Sequence, residues 1–432
     1  MIKVTIIGAG SAFTNNIVVD ILSIPGIESG NISLVDIDSR RLKIAHELVE
    51  KIINKTEKKW KVVSSVDRRE VLQDSDFVIN QIEVAGLSTV KYEFEIPLKY
   101  GVNQCIGDTL GPGGLFKTLR TLPAWIEIVR DIEELAPNAT ILNYTNPMSA
   151  VTLATTKITD LPVVGLCHSI QNTSRQLSEY LEVPYEELKW KTGGINHMSW
   201  FTELTYQGQD MYPILKEKIS KDKELLAKDP VRLDAMKYLG AFVSESSGHF
   251  SEYIPYYRKR QDLIEQHCSA GYNGATGFYA NNWPIWREEN DARIMRMLSG
   301  EEEISLETSN EYAAVVIDGM VNNVPKVIYG NVSNTGLIDN LPSGGIVEVA
   351  CLINANGINP THFGKLPEHL AALCRSNMAF FELAVNAVLE KNKEMAFHAL
   401  TIDPLTAAVC SLDEIKQMFD ELYNAEKDFV GV

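Results

Sequence analysis

Lys3-Val4-Thr5-Ile6-Ile7-Gly8-Ala9-Gly10-Ser11, answered further on by Ile32-Ser33-Leu34-Val35-Asp36, decides the fold of the first half of this chain. A β-branched run that opens into Gly-x-Gly and then a helical pattern is the start of a dinucleotide-binding βαβ unit. Gly8 permits the tight turn, and Gly10 lets a pyrophosphate approach the backbone. Ser11 and the following helix offer amides to the phosphate, and Asp36, closing the second run, suits a ribose hydroxyl. Phe13 stands where a third glycine would be, so the close helix-to-strand packing of the longer motif is not expected here.

Working outward, apolar runs recur at 77–79, 139–142 and 163–166, separated by helix-like stretches such as 40–54 and 119–135. Strand-length runs alternating with amphipathic helices predict a Rossmann-type, doubly wound parallel sheet over residues 1–190. Ligands of such sheets sit beyond the carboxyl ends of the strands. Gln81 to Gly86, Asn143 to Pro147 and Cys167 to Ser169 therefore join Gly8, Gly10, Ser11 and Asp36 as candidates, with Gln81 and Asn143 read as cofactor-side groups. Residues 191–432 read as an α+β lobe, as in the lactate and malate dehydrogenases, carrying the substrate, metal and oligomer contacts. Loops are expected around 270–284 and at 331–334 and 339–342. No linker separates the halves, so they are expected to interlock.

The chain has 432 residues, 45% of them hydrophobic, and a net charge of −17, which repels nucleic acid and anionic membrane surfaces and leaves small molecules as ligands. An N-terminus that enters a strand at once, with no basic n-region, and no apolar run near the roughly 20 residues of a membrane span read as cytoplasmic. The six cysteines follow no framework spacing. Five read as core residues.

The exception is Cys167. In Cys167-His168-Ser169 a thiol stands at a strand end, and Asn196-His197 follows the glycine pair 193–194. Sulfur and imidazole suit a borderline divalent ion, and two protein ligands leave positions for substrate and water. Their spacing alone matches no short metal motif, and by itself Cys167 reads first as a small buried hydrophobe, an order that its context reverses. Asp108, in the loop Asp108-Thr109-Leu110-Gly111-Pro112-Gly113-Gly114, is a candidate general acid. Asn146 can bind sugar hydroxyls. The crowded segment 245–256, with His249 and Tyr253, reads as a site loop without regular periodicity.

Together these stretches resemble the NAD-dependent glycosidases of glycoside hydrolase family 4, and within it the α-galactosidases. The likeness is carried by Gly-Ala-Gly-Ser at 8–11, Asp-Thr-Leu-Gly-Pro-Gly-Gly at 108–114 and Leu-Asn-Tyr-Thr-Asn-Pro-Met at 142–148. It continues through Gly-Leu-Cys-His-Ser at 165–169, Gly-Ile-Asn-His-Met at 194–198 and Ser-Gly-His-Phe-Ser-Glu-Tyr at 247–253. The resemblance implies hydrolysis of α-galactosides by an exception to the two-carboxylate scheme. NAD⁺ takes a hydride from C3, a base removes the C2 proton, and Mn²⁺ held by Cys167 and His197 polarises the sugar oxygens. The aglycone is then eliminated, water adds, and the hydride returns. It further implies Asp108 or His168 as the acid, Tyr253 or His249 as the base, Asn146 on the substrate, and a homodimer or homotetramer.

Two alternatives follow within the same family. An α-galacturonidase would need a cation, for which Arg258, Lys259 and Arg260 are placed, and an α-glucosidase would differ near C4. A hydroxy-acid dehydrogenase or a redox-sensing NAD-binding protein would each leave Cys167 without a role.

Overall fold

The computed structural model describes residues 1–268 and 271–432. Its first strands are the predicted apolar runs: β1 (Ile2–Ile7), β2 (Ser29–Val35), β4 (Phe77–Asn80), β5 (Thr140–Asn143) and β6 (Val163–Leu166). Between β2 and β4 lies a strand absent from the sequence reading, β3 (Lys59–Ser65). It is the outer strand, half exposed, so its lysines and serines carry no continuous apolar signal. The six pair in parallel in the order β3-β2-β1-β4-β5-β6, the Rossmann order, with the reversal between β1 and β4.

The helix Ser39–Thr56 shows how sequence makes these elements. Asp38 accepts the Arg40 and Arg41 amides, Glu57 ends the helix in a left-handed conformation, and Leu42, Leu48, Val49, Ile52 and Ile53 face the sheet. Burying each such side chain contributes about 1.5–3 kcal/mol. Helix Thr14–Leu22 packs just as closely, with Ile17, Val18 and Ile21 fully buried. The absent third glycine costs no packing because the helix begins only after Phe13, whose ring lies at the surface.

The second half continues the same sheet. Strands β7 (Leu188–Ile195), β8 (Met198–Tyr206), β9 (Gln209–Asp210), β10 (Phe242–Val243), β11 (Lys326–Ser333), β12 (Ile346–Asn354) and β13 (Gly357–Pro360) bring the total among the described residues to 13. β11 lies antiparallel on β6, pairing Gly330 with Leu166 and Asn331 with Gly165, so the two halves share one sheet. Helix Glu368–Leu389 packs against helices Gly111–Leu135 and Met148–Ile158. The observed architecture is the expected α/β one followed by mixed α+β elements.

Four local expectations are corrected. Asn331 to Ser333 belong to β11, where Asn331 is fully buried, because strand pairing outweighs the turn propensity of asparagine. The loop expected over 270–284 becomes the helix Phe278–Ser299 from 278 on, with Pro284 in its second turn; residue 270 lies outside the described residues. The segment 247–253 is a short helix rather than a loop, capped by Ser246 on the His249 amide. Finally, the helix expected from 119 already starts at Gly111. Glycines 113 and 114 are needed there, because a Cβ would stand 2.1 Å from the Gly107 carbonyl oxygen and 2.3 Å from the Thr109 carbonyl carbon. Of the five cysteines read as core, 105, 268, 351 and 374 are buried and Cys410 is half-buried.

Candidate active site at the strand ends

The turn after β1 is built as its glycines require. Gly8 has φ +83°, and a Cβ on it would meet the Gln81 carbonyl oxygen at 2.6 Å. Both Gly8 and Ala9 amides donate to Val35 O at 2.9 Å. Asp36 accepts the Gly10 amide at 2.8 Å and the Asp38 amide at 2.9 Å, which locks the acid against the turn. Beside it opens a cavity of about 590 Å³ lined by Gly10, Ser11, Asp38, Arg41, Arg287 and Asp291, within the size range of cofactor sites. Gln81 is buried with neither amide atom hydrogen-bonded. An orphaned buried amide beside a glycine turn fits a dinucleotide that would satisfy it. Asn143 differs: it accepts from Asn80 Nδ2 at 2.8 Å and donates to Thr145 O at 3.2 Å, holding the end of β5.

Cys167 follows β6, and His197 sits in the two-residue connection between β7 and β8, with φ +62°. Positive φ at a central position is the geometry of two-residue hairpin turns, and it sets the imidazole at the sheet's end. Its neighbour Asn196 is buried with both amide atoms unpartnered. Burial, then the Glu348 and Glu245 carboxylates, push the Cys167 thiol up to about 11. Among the described residues no group of three or more His, Cys, Asp or Glu side chains stands ready as a metal cage. A thiol and an imidazole with unpaired amide atoms beside them fit an open, catalytic type of site, whose further positions go to water or substrate.

The two acid candidates stand in different surroundings, Asp108 buried and His168 partly exposed. Asp108 accepts from Thr109 Oγ1 at 2.7 Å and from Asn146 Nδ2 at 3.2 Å, with Lys117 Nζ 3.8 Å and His249 Nε2 4.0 Å away. Burial pushes its carboxyl up, but Lys117, His249, the Thr109 hydroxyl and His197 outweigh this and hold it below the ordinary value. His168, partly exposed, sets Nδ1 3.3 Å from Glu311 Oε1, and that hydrogen bond lifts its imidazole to about 9.

His249 and Tyr253 come from the helix 247–253. Its Glu252 accepts the Ile106 amide at 2.7 Å and the Gly107 amide at 3.0 Å, tying the helix to the Asp108 loop. Tyr253 places its hydroxyl 3.4 Å from His197 Nδ1, and burial, with Asp108 nearby, holds the phenol protonated well above its usual range. The His249 and His197 rings lie 4.6 Å apart, edge to face. Burial pushes His249 down to about 4 in spite of Glu245, whose carboxylate lies 3.3 Å from Nδ1.

Three site carboxylates have no role in the sequence reading, although Glu245 opens the segment read as a site loop. Glu245 has φ +76°, accepts from Tyr272 Oη at 2.6 Å, and is drawn down to about 2, against its own burial, chiefly by His249 and His197. Glu348 is fully buried in β12, accepts from Ser199 Oγ at 2.6 Å and from Asn331 Nδ2 at 3.2 Å, and is pushed by burial up to about 7. A glutamate inside the apolar run Val347-Glu348-Val349 was the available signal. Glu311 gives no local signal.

Residues 3–183 match the model of family 4 glycosyl hydrolases, and residues 192–406 match that family's C-terminal domain. The chain belongs to glycosyl hydrolase family 4. This family 4 glycosidase is 37% identical to an α-galactosidase of Bacillus subtilis, over 100% of this chain and 99% of the relative. A Rhizobium meliloti α-galactosidase is 33% identical, covering 98% and 88%. Among solved structures, the lplD protein of Bacillus subtilis matches with a TM-score of 0.87 at 25% identity, over 98% and 99% of the two chains. A 6-phospho-α-glucosidase from gut microorganisms, solved in complex with NAD and Mn²⁺, matches at 0.82 and 22%, over 100% and 99%. Plasmodium falciparum malate dehydrogenase shares the fold more distantly, at 0.50 and 13%, over 93% and 100%. No helix among the described residues is long and apolar enough to cross a membrane.

Proposed function

We propose that this glycosidase hydrolyses α-galactosides, with NAD⁺ at the Gly8–Ser11 turn and Mn²⁺ between Cys167 and His197. The observation that carries the reading is the meeting of His197, Asp108, Asn146, His249 and Tyr253 beyond the strand ends, with Cys167 facing the same Glu245 and Glu348 carboxylates as His197. Bound there, the dinucleotide supplies a hydride acceptor, and the ion supplies Lewis acidity and positive charge beside His197. Gln81 and the Gly10 turn bind and orient the first, with Asp36 fixing that turn. The Asn146 amide and the Asp108 carboxylate, 3.2 Å apart, bind sugar hydroxyls.

Held as a carboxylate, Asp108 accepts protons poorly and has none to give, so it orients the sugar rather than protonating the leaving oxygen. His168, its imidazolium supported by Glu311, carries the proton for the aglycone. Tyr253 is the base: its hydroxyl lies 3.4 Å from His197 Nδ1, where a bound cation would oppose the burial that keeps the phenol protonated. His249 shapes the same wall, its Nδ1 3.3 Å from the Glu245 carboxylate.

Substrate choice follows from the cations. Arg258 is fully buried and donates to Asn103 O, Asn103 Oδ1, Ser251 Oγ and Gly274 O, so it is spent on holding loops. Arg260 is exposed and paired with Asp262 at 2.9 Å. A uronate would meet Glu245 and Asp108 instead of a free guanidinium, which favours the neutral galactoside.

The test is p-nitrophenol release from the α-galactoside, α-glucoside and α-galacturonide, with and without NAD⁺ and Mn²⁺ under reducing conditions, while NADH absorbance is followed. The expected result is α-galactoside cleavage that requires both additives and accumulates no NADH. Preferential α-galacturonide cleavage would overturn the substrate, and steady NADH formation without cleavage would overturn the reaction.

A further inference from the structure

We propose that Lys117 is a positioning residue that fixes the Asp108 carboxylate toward the sugar, its own ammonium anchored by Glu83 on the loop after β4. The inference deepens the reading above, since it rests on Asp108 facing the substrate.

Lys117 lies in the second turn of helix Gly111–Leu135, with its side chain only 5% exposed. A lysine buried this deeply requires a partner. Glu83 supplies it, with Oε2 2.9 Å from Nζ. The 3.8 Å to Asp108 Oδ2 is too long for a hydrogen bond, so Lys117 acts on Asp108 through charge. This leaves the oxygen lone pairs to Thr109, Asn146 and a sugar hydroxyl. The cavity lined by Asp108, Lys117, Arg120, Tyr279 and Trp283 is only about 10 Å³, room for one water at most, so the attraction is little screened.

Glu83 is itself held. Arg120, one turn further along the helix, donates from Nε to Val84 O at 3.0 Å and is paired with Glu93 and Glu426. Two residues before Glu83, the Gln81 carbonyl packs on Gly8. One helix thus ties the loop beside the dinucleotide turn to the substrate-side carboxylate. The other groups that face Asp108 are His249, His197, Thr109, Tyr253, Tyr272 and Tyr279. Lys117 Nζ lies 3.8 Å from Asp108, against 4.0 Å for His249 Nε2.

The experiment is a ¹³C-carboxyl NMR titration of the full-length, metal-free and cofactor-free protein. The Asp108 signal is assigned by its loss in Asp108→Asn. Because Lys117→Met leaves Glu83 without its partner, the double variant Lys117→Met/Glu83→Gln is titrated alongside, and cooperative melting confirms that each variant is folded. The expected result is an Asp108 midpoint raised by about one pH unit or more in the double variant, and a parental midpoint in Lys117→Arg. A parental midpoint in the folded double variant overturns the proposal. A structural role alone would lower the melting temperature without moving the midpoint. Parental galactoside cleavage by Asp108→Asn would defeat the substrate role of Asp108 while leaving the titration result intact.

Discussion

In the proposed metal site, Cys167 must surrender its thiol proton before it binds a cation, and its surroundings oppose this, since burial with Glu348 and Glu245 nearby lifts the thiol to about 11. Metal binding therefore displaces about one proton, and affinity rises with pH through the neutral range. Calorimetry of Mn²⁺ binding in buffers of different ionisation enthalpy should count that proton, and Cys167→Ser should bind tenfold or more weakly, a loss of ~1.4 kcal/mol or greater. His168 makes a second prediction. If it protonates the leaving oxygen, His168→Ala should retain cleavage of p-nitrophenyl galactoside, whose leaving group needs no proton. The same variant should lose about 10²- to 10⁴-fold on an alkyl galactoside. Steady-state kinetics on the two substrates checks this, and equal losses on both would remove His168 from the acid role.

At the scale of elements, the start of the helix Gly111–Leu135 decides where Asp108 and Lys117 sit. Gly114→Ala would place a methyl against the Thr109 backbone at 2.3 Å, which no side-chain rotation relieves. The expected outcome is a destabilisation of at least the ~1–3 kcal/mol of an overpacked core, with galactosidase activity falling further than stability. Thermal melting and kinetics on the same preparation measure both. This helix also shows what the sequence could convey. Strands 77–80, 140–143 and 163–166 were legible because each is a bounded apolar run, and the strand-end rule then pointed to Asp36, Gln81, Asn143 and Cys167. The glycine-rich helix start, the helix 247–253 and the outer strand 59–65 were illegible because local propensity there is overridden by close backbone approach, tertiary capping and edge exposure. Lys117 and Glu311 were illegible for a further reason. Their partners, Glu83 and His168, are distant in sequence, and only the fold pairs them.

On the scale of the whole molecule, folding brings carboxyls of the second half into the interior, and this couples stability to pH in an unusual direction. Glu348, in the strand that continues the first half's sheet, is raised to about 7, and Asp403, capping a helix beside Gly111, is raised to about 6, both chiefly by burial. A carboxyl whose pKa is higher in the folded state than in the unfolded state binds more protons when folded. Its contribution to stability is therefore present at low pH and is lost as pH rises from the unfolded value toward the folded one. For Glu348 that window runs from about pH 4.3 to about 7. Glu245, drawn down to about 2, acts in the opposite sense, and its contribution is lost only as pH falls below the ordinary carboxyl range. Glu348→Gln removes one titrating group but leaves its neighbours Ser199 and Asn331 in place. Measured by urea unfolding of the metal-free protein, the stability of Glu348→Gln relative to the parent should rise between about pH 5 and 7, because only the parent pays to ionise the buried acid there. A difference that stays constant with pH would mean that Glu348 ionises at the same pH in the folded and unfolded chains, and that its burial is fully offset by Ser199, Asn331 and the charge of His197.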